Sequence, residues 1–143
     1  MIDFNTKQMS TLLAEVFAPW IQDLAIQPLG KDATGANFRL PQNPDLVRGG
    51  GDGPKVICGQ AVAAVADTAS VLTISALNNR FRNCTTVDLS TNFLRPMFLG
   101  DVDIRIEALS NGRRMAVTRA DLRAAGSDKL AATATCTFVY LED

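Results

Sequence analysis

Val56-Ile57-Cys58-Gly59-Gln60-Ala61-Val62-Ala63-Ala64-Val65-Ala66-Asp67-Thr68-Ala69-Ser70-Val71-Leu72-Thr73-Ile74-Ser75-Ala76-Leu77-Asn78-Asn79 carries a single charge, Asp67, between Lys55 and Arg80. Its apolar residues fall on every side of a helical wheel, so the spacing predicts a helix buried all round rather than an amphipathic surface helix. An ionised carboxylate is costly in such a place unless it is hydrogen-bonded or put to chemical use. The stretch is long enough to raise the question of a membrane span. Asp67 near its centre, the Gln, Ser and Thr residues and the Ala-rich composition argue instead for the core helix of a compact domain.

Outward from this helix the periodicity changes. Downstream, Thr85, Val87, Leu89, Thr91 and Phe93 alternate with Thr86, Asp88, Ser90 and Asn92 up to Pro96. Val102, Ile104, Ile106 and Ala108 alternate with Asp101, Asp103, Arg105 and Glu107, and Asn111-Gly112 marks a tight hairpin. Strands over 113–123 and 129–141 follow, so four long strands in a meander are expected. Upstream, Thr6–Val16 reads as a short amphipathic helix ending before Pro19, and 24–29 and 37–40 read as short strands. The run Arg48-Gly49-Gly50-Gly51-Asp52-Gly53-Pro54 leads into the buried helix; no Gly-Lys-Ser/Thr follows it, which excludes a P-loop. One long helix with strands on both sides in sequence is most simply wrapped by one antiparallel sheet, an α+β architecture.

Composition narrows the chemistry. A chain of 143 residues can bury a real core as one domain, and its net charge of -1 lacks the basic excess of a general nucleic-acid binder. The chain has no histidine, which removes Ser-His-Asp and Cys-His catalysis and every His-ligated metal. Cys58, Cys84 and Cys136 show no metal-ligand spacing and read as reduced thiols. The N-terminal residues lack a signal-peptide pattern, so a cytoplasmic protein without a membrane partner is expected. Cys58 at a helix start would have a favourable position for a thiolate, but no histidine stands by as its base.

The stretch Cys58-Gly59-Gln60, six residues, Asp67-Thr68 resembles the His-Gly-Gly, six residues, Asp-Thr segment of the phenylacetate-degradation-type acyl-CoA thioesterases. Asn92-Phe93-Leu94-Arg95-Pro96, followed by Gly100-Asp101, is similar to the end of that family's third strand, and Asn111-Gly112-Arg113-Arg114 fits as well. The resemblance covers residues 45–141 and implies the hotdog fold, a curved antiparallel sheet wrapped around one long helix. By position it implies Asp67 as the catalytic carboxylate, Gly59 as the oxyanion-hole glycine and Thr86 as the hydroxyl that orients the carboxylate or the water. Asp52 falls where relatives often carry Asn or Gln near the thioester, and Cys58 replaces the family's His. With Gln60, Thr68, Asn92, Arg95, Arg113 and Arg114 these form the expected substrate-binding set. Arg80 and Arg82 are further candidates for the phosphates of coenzyme A, since guanidinium pairs well with phosphate. No metal and no cofactor beyond the substrate's own coenzyme A are implied.

Gly59, at the helix start, offers an N–H without an intrahelical acceptor, at the end of the helix dipole that favours an anion. Asp67 can act as general base on water or attack directly to form an anhydride. Eight residues of helix separate the two, roughly 12 Å at about 1.5 Å per residue. Both cannot readily reach one carbonyl within one chain, which predicts a site shared between subunits, in the dimers or dimers of dimers the resemblance also implies. Two other readings stand beside thioester hydrolysis: a hotdog domain that binds acyl-CoA or another acyl ligand without turnover, and a hotdog dehydratase or hydratase, which the missing histidine disfavours.

Overall fold

The computed structural model describes residues 3–49 and 51–142. Gly50 of the glycine run lies outside the described residues. Helix α1 spans Thr6–Val16, as its periodicity predicts. Asn5 and Gln8 form a reciprocal capping box at its start, and Met9, Leu12 and Leu13 form its buried stripe. A four-residue helix α2, Pro19–Gln22, opens on the proline that stops α1. Strands β1 (Gln27–Lys31) and β2 (Gly35–Leu40) form a hairpin. The first strand starts later than the sequence pattern indicates, because Leu24 is buried in the turn after α2 and Ile26 in the connection before β1, rather than in the ladder.

Helix α3, Gly59–Asn78, is the long central helix, and Asn79 ends it in a left-handed conformation at φ 57°. The stretch Gly59–Leu77 is long and apolar enough to cross a membrane, but here it is mostly buried in the chain's own fold, where it touches β2, β3 (Cys84–Phe93), β4 (Val102–Asn111), β5 (Met115–Ala124) and β6 (Ala132–Tyr140). Ala61, Ala66, Ala69 and Ala76 keep the helix narrow, so the curved sheet can close upon it. From the sheet come Phe38, Ile104, Ile106, Leu122 and Phe138, all fully buried and each contributing about 1.5–3 kcal/mol of transfer free energy. At Gly35 an added Cβ would sit 1.9 Å from the Ile106 carbonyl oxygen, so β2 and β4 can approach there only with glycine.

The strand order is β1-β2-β4-β5-β6-β3, antiparallel throughout. This is the expected α+β hotdog architecture, with one correction. The four long strands are not a sequential meander: β4, β5 and β6 are, while β3 crosses to the far edge and pairs with β6. β4 already has β2 on one edge and β5 on the other, so β3 takes the remaining edge of β6, whose inner-face Ala132, Ala134, Cys136 and Phe138 are buried.

Candidate active site

Asp67 lies in mid-α3, half-buried, and its Oδ1 accepts a hydrogen bond from Thr86 Oγ1 at 2.7 Å. Burial pushes its pKa above the ordinary carboxylate range, and the Thr86 hydrogen bond partly opposes that rise. Asp52, exposed in the loop before α3, does not enter the balance within the chain. Cys84 lies close enough that its thiol is pushed up, first by burial and then by the Asp67 charge. Thr68, the next residue on α3, is buried away from this contact.

A bulge decides that Thr86 reaches Asp67. Against β6, Thr86 pairs with Phe138 and Asp88 with Thr137, so Val87 is the extra residue. The parity of the strand therefore flips at that point. Thr86 faces the helix with Cys84 before the bulge; Leu89, Thr91 and Phe93 face it afterwards, opposite the buried Cys136, Ala134 and Ala132. Strict alternation in the sequence would have put Thr86 and Phe93 on opposite faces. Asn92, paired with Thr133, consequently faces away from α3.

At the other end of β3 the Phe93 ring packs over Gly59, so that a Cβ placed there would lie 3.3 Å from the ring. Gly59 is the first residue of α3, and the N-cap, Cys58, makes no side-chain cap, so the first N–H groups of the helix have no acceptor from that side chain. The preceding loop is tied at its base by Val47 opposite Ile57, and Cys58 N–H donates to the Leu46 carbonyl at 2.8 Å.

Two hollows flank this first turn. One, of about 330 Å³, is lined by Gly59, Val62, Phe93 and Met97 with Arg48 and Arg95 at its sides. The other, of about 380 Å³, is reached past Cys58, Gln60 and Ala61. At about 100° of turn per residue, Gly59 and Val62 project opposite to Gln60 and Ala61, so the hollows lie on opposite sides of the helix. Arg48 and Arg95 are exposed and make no ion pair among the described residues.

Arg113 and Arg114 stand on the β4–β5 hairpin, toward the end of the sheet where β3 begins. Arg80 and Arg82 are engaged there: both pair with Glu142, and the Arg82 guanidinium lies 3.6 Å over the Tyr140 ring. Sequence reasoning passed over Arg48, Phe93 as the cover of Gly59, and Trp20 in the second hollow. The first two were discoverable from their neighbourhood to the two motifs; Trp20, in a four-residue helix, carries no periodic signal.

A helix-borne carboxylate under a strand hydroxyl, on the same helix whose first turn lacks a side-chain cap, inside a hotdog sheet, is an arrangement suited to acyl-transfer chemistry. Residues 56–131, more than half of the chain, match the family model of the thioesterase superfamily, and the chain belongs to that superfamily. A putative thioesterase of Silicibacter sp. TM1040 is 25% identical, with 99% of this chain and 95% of that one covered at a TM-score of 0.83. A conserved protein of Pseudomonas aeruginosa is 27% identical over 90% of this chain and 98% of that one, at 0.75. A thioesterase of Haemophilus influenzae shares the fold at 20% identity, covering 96% and 90% with a TM-score of 0.80. No curated protein matches the chain.

Proposed function

We propose that this protein is an acyl-CoA thioesterase of the phenylacetate-degradation-like kind, acting without metal or added cofactor, in the cytoplasm, as a homodimer or dimer of dimers. The observation that carries the reading is the Thr86–Asp67 hydrogen bond of 2.7 Å on a half-buried helix carboxylate. Ionised Asp67 either takes a proton from the attacking water or attacks the thioester carbon itself, giving an anhydride that water then opens. In both routes the Gly59 N–H receives the negative charge that develops on the carbonyl oxygen, and coenzyme A leaves as its thiol after protonation. Arg48, Arg95, Arg113 and Arg114 are the arginines offered to its phosphates, since Arg80 and Arg82 already serve Glu142.

The free edge of β3 supports a shared site. Val87, Leu89, Phe93 and Leu94 are exposed there, and Gln60, Ala63, Ala64, Asp67 and Val71 form a partly uncovered stripe along α3. An unpaired apolar edge is an association surface unless covered. Antiparallel pairing of the free β3 edge with the same edge of a second copy would run the Phe93 end of one strand toward the Thr86 end of the other. Since Phe93 lies over Gly59 and Thr86 on Asp67, such a pairing would bring Gly59 of one protomer toward the partner's Asp67, which the roughly 12 Å rise between the two within one chain calls for.

Binding of acyl-CoA without turnover is the second reading, favoured by Asp52 and Cys58 where the resembled family carries a neutral amide and a histidine. Thiol release from short, long and aromatic acyl-CoAs tests both. Asp67→Asn should lower turnover by at least ~100-fold while circular dichroism and assembly stay as in the parent. Equal turnover in parent and variant removes Asp67 from the chemistry; tight binding with no release by either establishes the second reading.

A further inference from the structure

The two hollows flanking the first turn of α3 differ in charge. On the Gly59–Val62 side stand two guanidinium groups, Arg48 and Arg95. On the Gln60–Ala61 side the floor and wall are Leu24, Leu46, Ala61 and Trp20, and the rim carries Asp23 and Asp45. Leu24 and Ala61 are buried, whereas Trp20 is 61% exposed beside the opening. Asp23 and Asp45 are exposed and make no ion pair among the described residues. The hollow measures about 380 Å³, the size of a small-molecule site, and Cys58 and Gln60 at its entrance are the sequence neighbours of Gly59.

We propose that this second hollow is the acyl pocket, that it takes an uncharged aromatic or aliphatic acyl group against Trp20, and that Asp23 and Asp45 exclude acyl groups ending in a carboxylate. The inference rests on the thioesterase reading above and adds the substrate class to it. A thioester lying across the Gly59 N–H has one anionic half, the phosphate-bearing coenzyme, and one half whose charge depends on the acid. Electrostatic complementarity sends the anionic half to the arginine side and leaves the acyl half on the side of the indole and the two carboxylates. An acyl chain there loses contact with water against Trp20, Leu24 and Leu46. A terminal carboxylate would meet two like charges, with no cation among the described residues that line the hollow.

Trp20 is the only tryptophan in the chain, so its fluorescence reports on this hollow alone. The test uses the intact protein at low ionic strength, titrated with non-hydrolysable thioether analogues of coenzyme A: S-hexyl-CoA and S-(5-carboxypentyl)-CoA. Calorimetry gives the affinities in parallel. S-hexyl-CoA should change the tryptophan emission and bind at least ~10-fold more tightly than its carboxylated counterpart, and the double variant Asp23→Asn/Asp45→Asn should close most of that gap. Calorimetric binding of S-hexyl-CoA with emission unchanged overturns the pocket while leaving the thioesterase reading intact. A gap as wide in the double variant as in the parent overturns the role of the carboxylates. A full emission response from a protein that releases no thiol from hexanoyl-CoA keeps the pocket and rejects hydrolysis. No binding of either analogue overturns both.

Discussion

Strands β3 and β5 are each ten residues long, yet they live in different surroundings. β5 has a neighbour on both sides and buries Ala116, Thr118, Ala120 and Leu122 against α3. β3 has one neighbour and not one fully buried side chain, although its inner face includes Leu89 and Phe93, the latter 58% exposed. The strand that stabilises the monomer is thus not the strand that carries the hydroxyl held against Asp67. A fold complete at β5 and uncovered at β3 separates the residues needed for folding from those that association and chemistry would use.

Breaking that division at the edge should have the largest effect on activity. Leu89→Lys places a charge on the free strand without opening a core cavity. Light scattering should show a particle of half the parental mass, with native circular dichroism and thioester hydrolysis down by ~100-fold or more. A monomer that keeps parental turnover would end the idea of a shared site. The matching change in β5, Leu122→Ala, should act on the other quantity. It removes a fully buried side chain, and the cost in unfolding free energy is about 2–5 kcal/mol by denaturant titration, with activity per folded molecule retained. Lost activity in well-folded Leu122→Ala would erase the contrast between the strands.

The smallest change sharpens it. Thr86→Val keeps the strand and its bulge but removes the donor to Asp67, and turnover should fall by roughly 10- to 100-fold, the worth of one hydrogen bond to a charged group. The sign of the pH effect follows from the two influences on Asp67. Burial raises its pKa and Thr86 lowers it, so without Thr86 the pKa rises further. In the proposed reaction Asp67 works ionised, so the acid limb of the pH–rate profile should move to higher pH in the variant. A uniform loss at every pH, with the limb in place, would make Thr86 a packing residue only.

Much of this molecule was legible in its residues. The apolar wheel around Asp67 announced the central helix, and the alternation from Val102 onward announced β4 with its inner face of Val102, Ile104 and Ile106. Both are local periodicities, set by 3.6 residues per helical turn and two per strand repeat, and they survive whatever the rest of the chain does. The pairing partner of β3 was not legible, because β2 and β5, distant in sequence from β3, occupy both edges of β4 and leave only the edge of β6. Nor was the bulge at Val87: an extra residue leaves the alternation on either side intact and alters only the phase between them, so that Thr86 and Phe93 come to share a face. The same holds for the two hollows beside Gly59. Arg48, Arg95, Asp23 and Asp45 are scattered along the chain, and only the packing of the loop, α2 and the end of β3 around one helix turn gathers them into sides of opposite charge. Sequence determines what recurs at short range; the tertiary structure decides what meets across it.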